Sequence, residues 1–175
     1  MKTEIERLTE YRKGDIESIC EATEQAIVDG LGFDWVRTPA RQVLESYWRG
    51  VLLVPGRALF VARLDGTIVG TTQLVLPSSN NEAGAFNATI TSFFVAPYAR
   101  GHGLARGLLD RVESYARREG FKMLSLDVRE TQHAAISLYE NAGFVRWGTK
   151  RRYALDKGGY IAGHFYTKDL EPAEA

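Results

Sequence analysis

The chain has one cysteine, two methionines and three histidines in 175 residues, and each scarcity closes off a class of chemistry. A lone thiol, Cys20, cannot form an internal disulfide, which points to a reducing, cytoplasmic setting. His102, His133 and His164 lack the short paired spacing of a zinc site, so no metal is expected. An excess of charge of one sign is also missing. Lys and Arg number 22, as do Asp and Glu, so no long-range field gathers nucleic acid or an anionic membrane. There is no apolar run of bilayer length, no signal-peptide pattern and no basic-aromatic interleaving, and the expected partners therefore include neither nucleic acid nor membrane. Internal repeats and low-complexity segments are absent too.

What is present is enough apolar sequence, 45% hydrophobic residues, to bury one core, so residues 1–170 are expected to form a single domain with a frayed tail at 171–175. A strand is expected over 3–9. A helix then opens at Asp15 and closes near Gly30, with Ile16, Ile19, Cys20 and Ile27 on one face, where Cys20 reads as core filling. Thr38-Pro39 signals a second helix ending at Gly50. Strands at 58–64 and 67–76 flank the Asp65-Gly66 turn, and another runs from Asn87 to Val95. A helix carrying Leu104, Leu108, Leu109, Val112 and Tyr115 on one face stops at Gly120. A strand at 122–129, a short helix opened by Thr131 and ended by Gly143, and strands near 144–153 and 159–169 complete the chain. Trp48 and Trp147 read as core or interface residues. The class is mixed α/β (α+β), with helices against a sheet.

The most informative stretch is Phe93-Phe94-Val95-Ala96-Pro97-Tyr98-Ala99-Arg100-Gly101-His102-Gly103-Leu104-Ala105-Arg106, an apolar strand passing through a proline turn and a glycine bend into a helix. Such a bend aims unpaired helix N–H groups at one point, suiting a diphosphate. It is not a dinucleotide fingerprint, because Arg106 stands where the third glycine would fall. It is not a P-loop either, because no Gly-Lys-Ser/Thr follows. A purely structural strand-to-helix turn is the plain alternative.

From Phe93 to Phe144 the chain resembles the GNAT superfamily of acyl-CoA-dependent N-acyltransferases. Arg100, Gly103 and Ala105 fit that family's diphosphate pattern, and Leu138-Tyr139 with Gly143-Phe144 fits its second motif. The second segment is locally similar to the branch that acetylates ribosomal-protein N-termini. The resemblance implies a GNAT-like central, mostly antiparallel sheet of about seven strands with helices on both faces, and acetyl-CoA as co-substrate. It implies that the backbone N–H groups of Gly101, His102, Gly103, Leu104, Ala105 and Arg106, with Arg100, hold the diphosphate, His102 reading as a cofactor or surface contact. Phe93, Phe94 and Val95 would pair with the pantetheine arm as an added strand, with Gln132 and Ala135 beside it. Tyr139 takes the place of the phenolic acid. Asp127 stands where the branch has a Glu, and acting as base, relaying through a water, or pairing with Arg129 or another cation all stay open. Phe33, Asp34 and Trp35, facing the turn near 156–160, would meet the acceptor, although Asp34 also reads as an exposed loop acid.

The expected activity is acetyl transfer to a primary amine, on a small molecule or a peptide. The rivals are a non-catalytic acyl-CoA-binding or regulatory module, which the lack of a carboxylate between Phe86 and Ala99 favours, and an unrelated α/β domain. Edge strands near the C-terminus leave room for a homodimer.

Overall fold

The computed structural model describes residues 1–30 and 33–171. Leu31 and Gly32 of the expected acceptor loop lie outside those residues, as does the expected tail beyond Glu171. In chain order the elements are β1 (Thr3–Leu8), α1 (Asp15–Val28), α2 (Arg41–Leu53), β2 (Arg57–Leu64), β3 (Thr67–Val75), β4 (Asn87–Val95), a 3-10 turn (Pro97–Ala99), α3 (Leu104–Arg118), β5 (Met123–Arg129), α4 (His133–Asn141), β6 (Val145–Asp156) and β7 (Gly159–Asp169). The expected order of strands and helices is the observed one. Among the described residues no helix is long and apolar enough to cross a membrane.

The strands form one seven-stranded sheet in the order β1-β2-β3-β4-β5-β7-β6, antiparallel except where β4 meets β5. Two apolar clusters cover its faces. One gathers Ile16, Ile19, Cys20, Leu44 and Trp48 of α1 and α2 against Leu59, Val61, Ile68 and Phe94, and draws on no residue beyond Ala96. The other joins Leu104, Leu108 and Val112 of α3 and Tyr139 of α4 to both halves of the sheet, from Phe60 to Leu124, Leu126 and Tyr166. On the α1–α2 side, then, β5 and β7 are left without a helix over them. Cys20 is fully buried in the first cluster, and Trp48 with it, whereas Trp147 is 66% exposed.

Three boundaries differ from expectation for local reasons. Ala40, in extended backbone, caps α2 in place of Thr38, and the helix runs through Gly50, whose missing side chain would meet nothing. Gln132, not Thr131, precedes α4. Asp15 does begin α1, but its carboxylate also receives a bidentate bond from buried Arg63 at 2.7 and 2.9 Å, while Arg63 Nε donates to Glu6 at 2.6 Å. Burial alone would raise the Asp15 carboxyl, but the Arg63 and Arg12 hydrogen bonds outweigh it and hold it below the ordinary range.

Candidate functional site

The sheet splits at its middle. β4 and β5 pair over three positions, Asn87 with Met123, Ala88 with Leu124 and Thr89 with Ser125, and then separate. Beyond the last pair β4 carries a bulge, where Ser92 and Phe93 together face Thr72 of β3. Ser92 holds a left-handed φ of 51°, a conformation costing a non-glycine residue about 1–3 kcal/mol where it is imposed. Thr71 and Thr72 steady the kink by donating their hydroxyls to the carbonyls of Ser92 and Thr91 at 3.1 and 3.4 Å.

The split leaves a cleft of about 790 Å³ between Phe93, Phe94 and Val95 on one side and Gln132, Ala135 and Leu138 on the other, with Arg100 and Ala105 at its end. Five of the residues expected along a cofactor path, Phe93, Phe94, Val95, Gln132 and Ala135, therefore line one cleft with Arg100 and Ala105. Beyond it, Gly101 and Gly103 take left-handed φ of 83° and 71°, turning the chain into α3. The first helical bond there runs from the Gly107 N–H to the Gly103 carbonyl at 3.0 Å. The N–H groups of Leu104, Ala105 and Arg106 have no helical acceptor and can meet an anion. His102 turns back instead, its Nδ1 lying 3.0 Å from the Ala99 carbonyl. Arg100 is paired with Asp29 at the end of α1.

Deeper in the split is a cavity of about 110 Å³, lined by Asp127, Tyr139, Gln132 and the bulged strand at Thr91–Phe93. Tyr139 is 4% exposed, its ring set against Phe93 and Phe144 at 5.7 and 5.9 Å between centroids. Among the described residues no buried polar side-chain atom is orphaned, so its hydroxyl, which bonds to no neighbour, opens into this cavity. Burial first, and then the Asp127 charge, push the phenol well above its ordinary value. Asp127 itself is exposed to the cavity, on the side of β5 that no helix covers.

Asp127 has a partner that sequence reasoning missed. Between Lys150, opposite Gly163, and Ala154, opposite Ile161, β6 carries three residues against Ala162 alone. This bulge swings Tyr153 across the sheet, where its hydroxyl donates to Asp127 and its ring covers Gly163. A Cβ added at Gly163 would lie 2.2–2.6 Å from that ring. Burial, then the bond to Asp127, raise the Tyr153 phenol. The only sequence signal was a glycine within a strand, which often marks a close approach.

The expected acceptor residues divide. Phe33 is 5% exposed and anchors its loop in an aromatic cluster, stacked on Trp35 at 5.4 Å and edge-on to Phe94 at 5.6 Å. Asp34 faces outward into a cavity of about 600 Å³ shared with Arg129, Arg152, Tyr153 and Tyr160. Trp35 lines a different cavity, with Arg37 and Lys157. Two bonds fasten this loop to the split: Gln132 Nε2 to the Gly30 carbonyl at 2.8 Å and Arg129 to the Phe33 carbonyl at 3.0 Å. Asp34, Arg129 and Tyr153 belong to both the outer and the inner cavity.

A cleft, an inner chamber with a phenol and a carboxylate, and an outer vestibule meet at one point. The Acetyltransferase (GNAT) family matches residues 20–144. The chain belongs to this family. Among relatives of this GNAT protein, a protein of Azospirillum brasilense described as an uncharacterized N-acetyltransferase in the hisH-hisA intergenic region is 56% identical over 128 residues, 73% of this chain and 76% of the relative. The structure of yncA from Salmonella typhimurium with its cofactor acetyl-CoA is similar at a TM-score of 0.78 and 20% identity, covering 100% of this chain and 98% of that one. The ribosomal-protein-S18-alanine N-acetyltransferase of Escherichia coli follows at 0.75 and 20%, covering 99% and 97%. At that identity the likeness is one of fold, and the GNAT fold is the one expected.

Proposed function

We propose that this protein is an N-acetyltransferase that moves the acetyl group of acetyl-CoA directly to a primary amine, and that residues 1–170 do so as one domain. The observation that carries the reading is the junction of cleft, chamber and vestibule at Tyr139, Asp127 and Tyr153. A binding module would need the cleft but would have no use for a phenol and a carboxylate facing its inner end.

The apolar walls at Phe93–Val95, Ala135 and Leu138 fit a pantetheine arm, and the free amides of Leu104, Ala105 and Arg106 fit a diphosphate. Arg100 would exchange its Asp29 partner for phosphate, a move open to a half-exposed pair. Acetyl-CoA supplies a reactive thioester; the residues supply proton movements and alignment. An alkyl ammonium, with a pKa of about 10.4, costs roughly 4.6 kcal/mol to neutralise at pH 7. Asp127 takes that proton, with Tyr153 holding the carboxylate toward the amine's path. Asp127 passes this proton to solvent before the acyl step. As the new C–N bond forms and the C–S bond breaks, Tyr139 gives its phenolic proton to the departing sulfur, and the nitrogen, which attacks with two hydrogens and keeps one in the amide, gives the other to Asp127. The raised phenol keeps this proton on at neutral pH. Once Asp127 is protonated, the negative charge that opposed ionisation of Tyr139 is gone, and the proton on Asp127 can later restore the phenol.

The test is calorimetry with acetyl-CoA followed by thiol release with a panel of amines. Binding with amine-dependent thiol release is expected. Binding without release from any amine would favour the acyl-CoA-binding module, and no binding would remove the reading.

A further inference from the structure

The vestibule carries charge of both signs that does not neutralise itself. Asp34 enters it from the loop after α1, Arg129 from the end of β5 and Arg152 from the β6 bulge. The ion pairs among the described residues engage Arg12, Arg41, Arg63, Arg100, Arg106, Arg117 and Arg146, and none of them involves Asp34, Arg129 or Arg152. Arg129 is held by the Phe33 carbonyl, which orients it without cancelling its charge. Arg152 lies 4.9 Å over the ring of Tyr160, a stacking that fixes the guanidinium plane and leaves its N–H edges open to a carboxylate.

Resting on the acetyltransferase reading, we propose that the acceptor is an amine that also bears a carboxylate: an apolar amino acid, its ammonium directed toward Asp34 and Asp127 and its carboxylate toward Arg152 and Arg129. A polyamine or a lysine-rich peptide would bring further positive charge against two arginines, and an aralkylamine with no acid group would leave both without an anion. Phe33, Val36 and Leu155 form apolar wall for the side chain, and a cavity of about 600 Å³ lies within the range of roughly 300–1,000 Å³ usual for small-molecule sites.

Matched acceptors test this: leucine and phenylalanine against leucinamide and phenylalaninamide, with thiol release from acetyl-CoA as the readout. The carboxamides lose the amine proton more readily and hold the intrinsic advantage, so preference for the acids can come only from recognition. The acids should lead in kcat/KM by about tenfold, equivalent to ~1.4 kcal/mol, and Arg152→Glu should reverse the order. Equal use of both, or preference for the amides or for an amidated peptide, would overturn the proposal while leaving the acetyltransferase reading intact. Should no amine release thiol, that reading fails, and calorimetry decides the proposal separately. Binding of N-acetylleucine, absent for N-acetylleucinamide and lost in Arg152→Glu, would support it; equal or undetectable binding would overturn it.

Discussion

Arg63 and Arg152 are both strand arginines, and the fold treats them in opposite ways. Arg63, 2% exposed, spends its guanidinium on Asp15, Glu6 and the Gly66 carbonyl. Arg152 is exposed, and among the described residues its guanidinium meets the face of an aromatic ring and no carboxylate. The same contrast separates two tyrosines. Tyr166 is fully buried with its hydroxyl donating to Glu140 at 2.7 Å and receiving Arg146, whereas the equally enclosed Tyr139 leaves its hydroxyl free in a cavity. A polar group that only holds structure must be fully partnered, because a buried charge or hydroxyl without a partner is costly. Groups left open around the split of the sheet are the ones available to a ligand.

Four experiments bear on this contrast, the largest effect first. Tyr139→Phe removes an unbonded hydroxyl, so turnover should fall by roughly 10²- to 10⁴-fold while calorimetry finds CoA affinity nearly unchanged; full turnover would erase the distinction from Tyr166. Arg63→Ala strands Asp15 in the interior and should cost about 3–5 kcal/mol in urea denaturation, yet the folded fraction should retain its turnover. Loss of activity with stability intact would break the contrast. Gly163→Ala drives a methyl into the Tyr153 ring; overpacking of that kind costs roughly 1–3 kcal/mol, and displacement of Tyr153 from Asp127 should reduce turnover beyond what stability accounts for. The smallest effect is on acid stability. Asp15 is held below the ordinary carboxylate range, as is Glu113, where burial pulls upward but bonds from Lys168 and Arg117 prevail. A carboxyl depressed by folding stabilises above its unfolded pKa and loses that contribution as pH falls through the folded value. Melting temperature should therefore hold on this account from pH 8 to pH 6 and drop below about pH 4, and Asp15→Asn should flatten the drop.

Much of the architecture is legible in local sequence. Gly120 and Gly143 close helices where the apolar periodicity ends, and Asp65-Gly66 joins β2 to β3, because those signals act within a turn or two of the chain. The glycine bend is legible for the same reason, and helical spacing puts Tyr139 on α4, whereas the role expected of its phenol came from the family resemblance. What local sequence does not carry are pairings across distance. Arg63 lies 48 residues from Asp15, so Asp15 reads only as a helix opener. Tyr153 reaches Asp127 only because β6 bulges and residue 163 lacks a side chain, a coincidence of three separated positions. Arg152 and Arg129 become one side of a vestibule only after β5 and β6 are laid on either side of β7. Phe33 and Trp35, adjacent to Asp34 and similar in chemistry, read alike as acceptor contacts, yet they part in space: Phe33 lines the vestibule while anchoring the aromatic cluster, and Trp35 lines another cavity.

The outer strand β6, exposed along most of its twelve residues, can be rewritten with little thermodynamic penalty, since surface substitutions mostly stay within about 0.5 kcal/mol. It also supplies one wall of the vestibule. Lineages carrying this fold can thus diverge in what that wall admits by ordinary surface drift, leaving the packed strands β2 to β5 as they are.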